Sequence, residues 1–219
     1  MKNICIFLAS TTLFIGCKNS NTTSTKSEPV TTSEKEVVEK EPVKKQLYID
    51  AHHLGAGNVT AEAVADVHLK DLAVQDKYDV NFIEYWVNEE SGTVYCLSEA
   101  PAGSQVSNTH KEAHGLVPDE VFLVSEGDAA KLKGNSKLYL DIHDLGAGNV
   151  TAEAVADAHV KDLDVQGKNN VNFINYWVDE SNGKVFCLSE SPSATAVRDT
   201  HAEAHGLLPD EIMEVILGK

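Results

Sequence analysis

The segment V-N-F-I-E-Y-W-V-N-E-E-S-G-T-V-Y-C-L-S-E, residues 80–99, decides the fold. Residues 80–87 are rich in aromatic and β-branched side chains, residues 89–92 supply a turn, and residues 93–99 resume the strand pattern, which predicts a β-hairpin. Upstream, residues 61–77 carry Val64, His68, Leu72 and Gln75 along one helical stripe. Thr60 stands before them as a simple N-cap, with Ala63 where a capping box would need Glu or Gln. Downstream, Pro101 precedes a second helix over residues 103–114, which Gly115 ends and Pro118 blocks. Two more strands flank this unit. Residues 47–52 alternate Leu47, Ile49 and Ala51 with Tyr48, Asp50 and His52, the pattern of a half-buried strand, and residues 119–124 form the last strand. The order β-α-β-β-α-β is the split-βαβ, or ferredoxin-like, arrangement of the α+β class: an antiparallel four-stranded sheet with two helices on one face and the first and third strands central.

The whole unit then recurs. Leu47 aligns with Leu138, His52 with His143, Trp86 with Trp177 and His110 with His201, without a gap, and most aligned positions are identical. The period is too long for a solenoid repeat, so each copy is a small domain. Residues 46–125 form the first and 138–219 the second. Residues 126–137 connect them, with a short helical turn expected at 128–132. The uncovered face of a ferredoxin-like sheet needs a partner, and two copies in one chain supply it as an intramolecular pseudo-dimer within a monomer. Domains standing side by side are the second possibility.

Ahead of the repeats, residues 1–16 carry one basic side chain, Lys2, and an apolar run, and they end at Cys17. This is a secretory signal, too short to span a membrane. L-F-I-G-C, residues 13–17, resembles the lipobox of bacterial lipoproteins, with Phe14 where that motif prefers Leu; Cys17 would be lipidated and become the mature N-terminus. Residues 18–45 are Ser, Thr, Glu, Lys and Pro, a composition that cannot bury enough apolar surface to order itself, so a disordered tether is expected. The expected location is the cell envelope, on the periplasmic or outer surface of a bacterial membrane. The formal charge of −16 argues against binding nucleic acid or an anionic lipid surface and suits attraction of cations.

The chemistry-bearing stretch is H-K-E-A-H-G-L-V-P-D-E, residues 110–120, repeated as H-A-E-A-H-G-L-L-P-D-E, residues 201–211. His110 and His114 stand one helical turn apart on one face, and Asp119 follows the turn. Imidazoles and carboxylates gathered this way suit a borderline divalent metal. With Asp50 and His52 at the end of the first strand, and His68 on the first helix, the candidate ligands of the first copy are Asp50, His52, His68, His110, His114 and Asp119. In the second copy they are Asp141, His143, His159, His201, His205 and Asp210. His68 and His159 also read as hydrogen-bonded core histidines. Imidazole binds metal only when neutral, so affinity is expected to fall below about pH 6. Alanine at His110 and His114 is expected to remove binding without unfolding the chain, since a helix end tolerates it. Cys96 and Cys187 read as small buried apolar residues, as one inter-copy disulfide, or as thiolate ligands. Gly55-Ala56-Gly57 lacks the context of a phosphate-binding loop.

The segments L-Y-I-D-A-H-H, A-D-V-H-L-K-D-L, V-Y-C-L-S-E-A-P and H-K-E-A-H-G-L-V-P-D-E together resemble a bacterial family of small ferredoxin-like domains. That family was long catalogued as a domain of unknown function, and its structurally characterised member is a homodimeric nickel-binding protein. The resemblance covers nearly all of both copies. It implies the fold, and it implies binding of a divalent transition metal, nickel first, with zinc, copper or cobalt as alternatives. The signal, the tail and the tandem fusion depart from the family pattern. A surface-tethered metal binder is therefore expected, ahead of an enzyme. Two other classes stand beside it. One is a small monooxygenase-type α+β barrel enzyme, which needs a sheet-face cavity lined by Tyr48, Asp50, His52 and Trp86. The other is a protein-interaction lipoprotein.

Overall fold

The computed structural model describes residues 43–219; the signal, Cys17 and most of the tether lie outside the described residues. The first copy comprises β1 (Gln46–His53), α1 (Ala61–Val74), β2 (Asn81–Asn88), β3 (Thr93–Ala100), α2 (Gly103–Ala113) and β4 (Glu120–Glu126). The second comprises β5 (Lys137–Asp144), α3 (Ala152–Val165), β6 (Asn172–Asp179), β7 (Lys184–Ser191), α4 (Ala194–Ala204) and β8 (Glu211–Gly218). These are the two tandem βαββαβ units that the hairpin implied. No helix among the described residues is long and apolar enough to cross a membrane.

Within each copy the first and third strands are central. β1 pairs with β3 and β4, and β5 with β7 and β8, all antiparallel. The sheets also join at their edges: β2 pairs with β8 through Trp86 and Leu217, and β4 with β6 through Glu126 and Trp177. The eight strands close in the order β1-β3-β2-β8-β5-β7-β6-β4 into one barrel. Its interior is a single apolar core drawn from both copies, including Ile49, Leu97, Phe122, Leu140, Phe186 and Leu188, with the Trp86 and Trp177 rings 5.0 Å apart between centroids.

The other face of each sheet carries its helices. Tyr48, Cys96 and Val106 pack there, separate from the barrel core. β1 is therefore covered on both faces, not half-buried: Asp50, on the helix side, is 0% exposed. Trp86 points into the barrel while Tyr48, Asp50 and His52 lie under the helices, so these four residues line no common cavity. Cys96 and Cys187 are buried free thiols and form no disulfide; each sits on the helix side of its own sheet, with the barrel between them.

The local signals act as expected at the start of α1, where the Thr60 hydroxyl accepts from Ala63 N–H at 3.2 Å. The helix ends earlier than its pattern suggests, passing at Val74 into a 3-10 turn over Gln75–Tyr78. Its buried side also differs from the expected stripe: Asp71 is 3% exposed and Leu72 36%. The connector forms no helical turn at 128–132. Its backbone instead bonds along β6, Gly127 N–H to Tyr176 O at 2.9 Å and Ala130 N–H to Ile174 O at 2.6 Å, which satisfies those groups as a helix would have done. At Gly92 the backbone has φ +72°, and a Cβ would meet Gly55 O at 1.9 Å. Only glycine lets the β2–β3 turn press against the loop that leads to α1, the loop that closes one side of the site.

Candidate metal centre

In each copy the site lies between the central strand and the two helices. β1 contributes Asp50 and His52 from its helix-facing side, β3 contributes Cys96, which pairs with Asp50 in register, α1 contributes Asp71, and α2 contributes His110 with His114 at its C-terminal end. Two overlapping groups result, Asp50, His52, Cys96 and His110, and Asp71, His110 and His114; in each the potential donor atoms lie within 4.8 Å of one another. The second copy repeats them as Asp141, His143 and His201, and Asp162, His201 and His205.

His110 is the hinge between the groups. Its ring is 2% exposed and packs edge-on to His52, with 5.0 Å between centroids. Nδ1 lies 2.9 Å from Asp71 Oδ1, while Nε2 faces Asp50 Oδ1 at 3.4 Å. Burial opposes the charged imidazole, yet the carboxylates on its two sides outweigh that and raise its pKa to about 10. Burial also opposes ionisation of Asp71, but His110 and His114 prevail and lower its pKa to about 2.

Asp50 is different in kind. His52 Nε2 stands 3.2 Å from its Oδ1, yet neither Asp50 oxygen accepts a well-directed hydrogen bond, and His110 Nε2 is likewise without a partner. Asp141 and His201 repeat the same unsatisfied atoms. Burial works against the Asp50 charge, while His110 and His52 together hold its pKa below the usual value. Buried polar groups are nearly always satisfied, so an inward cluster of unsatisfied carboxylate and imidazole atoms fits a cation between them. Burial first, then Asp50 and Asp71, push the Cys96 thiol well above its ordinary pKa.

His114 is arranged otherwise. Its Nδ1 accepts from Leu116 N–H at 3.1 Å, which places the proton of the neutral ring on Nε2, 3.0 Å from Asp71 Oδ1. His205 repeats this with Leu207 N–H and Asp162. Asp119 is remote from the cluster: its carboxylate accepts from His53 N–H at 2.7 Å, as Asp210 does from Asp144 N–H. His68 and His159 are core-facing rings against Tyr85 and Tyr176, each at 4.7 Å between centroids. Burial lowers both their pKa values against the pull of Asp71 and Asp162. Asp71 and Asp162 were not among the ligands expected from the sequence. The available signal was the spacing of Asp71 three residues after His68, which puts the two on one helical face.

The fold and these clusters define a tandem ferredoxin-like protein with one buried histidine–aspartate centre in each copy. The chain belongs to the SCO4226-like family of nickel responsive proteins, which it matches at residues 48–124 and again at 139–215. Among solved structures, SCO4226 from Streptomyces coelicolor A3(2) is 40% identical over 37% of this chain and 99% of its own, with a TM-score of 0.35. A structure from Lactobacillus acidophilus NCFM described as a monooxygenase is 8% identical over 80% of this chain and 94% of its own, with a TM-score of 0.45. No curated protein matches the chain.

Proposed function

We propose that the chain is an exported, lipid-anchored binder of a divalent transition metal, nickel first among the candidates, with one ion per copy. Asp50, His52 and Nε2 of His110 supply the donors in the first copy, and Asp141, His143 and His201 in the second. Asp71 and Asp162 accept from Nδ1 of the liganding histidine and orient it, the usual task of a carboxylate behind a metal-bound imidazole. His114 and His205 brace those carboxylates, and Asp119 and Asp210 hold the strand ends.

The observation that carries this reading is the fully buried Asp50 carboxylate with both oxygens unsatisfied, reproduced at Asp141. His52 and His110 oppose the Asp50 charge without a well-directed hydrogen bond to it, and a cation bound between these atoms would satisfy them directly. The description of the family as nickel responsive supports nickel over its neighbours in affinity order, which donor chemistry alone does not separate. Export and the anchor rest on residues 1–17, and the internal pseudo-dimer is supported by the closure of eight strands within one chain.

Metal analysis and calorimetry on protein from Lys45 onward, purified without a polyhistidine tag, test the reading. Two ions per chain are expected, falling to one when His52 is replaced by alanine. Absence of micromolar binding of nickel, zinc, copper and cobalt in mildly alkaline buffer overturns it.

A further inference from the structure

We propose that Cys96 is the fourth donor of the first centre, its sulfur joining Asp50, His52 and Nε2 of His110 on one ion, while the second centre has nitrogen and oxygen donors only. This rests on the metal reading above and adds the thiol to it. Cys96 lies on the helix side of its sheet with Val94, directly across from Asp50 in the β1–β3 ladder. Side chains paired in this way stand about 4.5–5.5 Å apart at Cβ on one face of the sheet, so the register alone brings the thiol to the carboxylate. One donor atom each from Asp50, His52, Cys96 and His110 lie within 4.8 Å of one another. Atoms held 2.0–2.3 Å from a common ion are at most about 4.6 Å apart, so small side-chain shifts close this set on a metal.

A buried cysteine by itself is one more small apolar residue. The neighbours of Cys96 argue for more than that. Asp50 is 0% exposed, and both its oxygens and His110 Nε2 lack hydrogen-bond partners within the same group. An apolar thiol has no use for such neighbours, whereas a cation set among them answers all three atoms at once. Two imidazoles, a carboxylate and a thiolate form a four-donor set suited to a borderline ion such as zinc or cobalt. On binding, the ion takes the place of the thiol proton, which leaves through the open cavity that Cys96 lines.

The second copy supplies the contrast. Cys187 keeps the same register against Asp141 and is equally buried. Its sulfur nevertheless lies outside the group that Asp141, His143 and His201 form. Both copies have the cysteine, and only Cys96 stands where one ion reaches all four donors.

The test loads the full chain with cobalt(II), after Cys5→Ser and Cys17→Ser have removed the two other thiols, and measures metal content beside the absorption spectrum. Thiolate bound to cobalt gives a charge-transfer band in the near ultraviolet that imidazole and carboxylate do not give. The fully loaded chain should show the band of a single thiolate. Cys96→Ser should abolish it, and Cys187→Ser should leave it whole. Full cobalt content without the band, a band that survives Cys96→Ser, or a band weakened by Cys187→Ser overturns the inference and leaves the metal reading standing. Should Cys96→Ser fail to fold, X-ray absorption of the zinc-loaded parent chain decides. A sulfur shell at about 2.3 Å, at one sulfur for two zinc ions, supports the inference; a shell of nitrogen and oxygen alone, or one sulfur for every zinc, overturns it. Failure of the parent chain to take up cobalt removes both readings, and the content measurement separates that case from the others.

Discussion

His110 Nδ1 and the Asp71 carboxylate lie 2.9 Å apart and join α2 to α1 across the site, as His201 and Asp162 do at 3.0 Å in the second copy. The contact settles which ring nitrogen is left to face Asp50. Asp71→Asn keeps the volume but removes the charge that fixes this orientation. Its expected effect is a loss of about 10–100-fold in metal affinity at the first centre, with the second unchanged. Calorimetry should then resolve two classes of site, and a single class at wild-type affinity would show that Asp71 plays no part.

Above about pH 6.5 the stability of the metal-free protein and its affinity for metal should respond to pH in opposite directions. His110 rises from 6.5 to about 10 on folding, so its contribution to stability is complete below pH 6.5 and is lost as pH rises through about 10. Asp71 falls from 3.8 to about 2, so its contribution is complete above pH 3.8 and is lost as pH falls through about 2. Stability of the metal-free protein is therefore expected to be greatest between these windows. Metal must displace the His110 proton, so affinity should keep rising through the alkaline window instead of levelling off above about pH 6, as unperturbed imidazoles would imply. Unfolding curves and calorimetry in buffers of different ionisation enthalpy measure the two trends, and an affinity flat from neutral to alkaline pH contradicts the second.

His110→Ala should destabilise the metal-free protein by about 3–5 kcal/mol, because it leaves Asp50 and Asp71 buried without the charge between them. The expectation that a helix end tolerates alanine fails here on burial, since His110 is 2% exposed. His114→Ala, at the end of the same helix, should cost less. Urea unfolding of both variants gives the comparison, and a loss below about 1 kcal/mol for His110→Ala would mean that the carboxylates do not need the imidazolium.

Much of this was legible before the structure. The hairpin at residues 80–99 fixed the order of elements, and the alternation in β1 placed Asp50 and His52 on one face. Asp71 showed only its spacing from His68, because a carboxylate on a helix reads as solvent-facing unless its partners are known, and His110 is 39 residues away. Leu72 took its place in the expected stripe for the same reason. Barrel closure was hidden in a different way. Strand alternation tells which side chains share a face and says nothing of which edge meets which, so the pairing of β2 with β8 left no mark on either strand.

A chain ended near Ser125 should not stay a well-folded monomer. It would expose Ile49, Trp86, Tyr95, Leu97 and Phe122, all buried in the shared core, along with the free edges of β2 and β4. Sedimentation should show dimers or aggregates; a compact monomer would mean that the copies fold independently.

The anchor gives a separate prediction. Wild-type protein should partition with membranes, and Cys17→Ser should release it or block its processing, since firm attachment needs more than one acyl chain. Fractionation with N-terminal mass analysis reads the outcome, and a soluble wild type that begins elsewhere removes the anchor.

Closing the barrel within one chain also changes how assembly depends on concentration. Two separate domains paired through the same edges would come apart on dilution, and any centre that relies on the paired sheets would go with them. Tethered by the connector, the second copy faces the first at an effective concentration on the order of millimolar whatever the bulk level. A scarce protein thus keeps its two copies paired when only a single molecule is present.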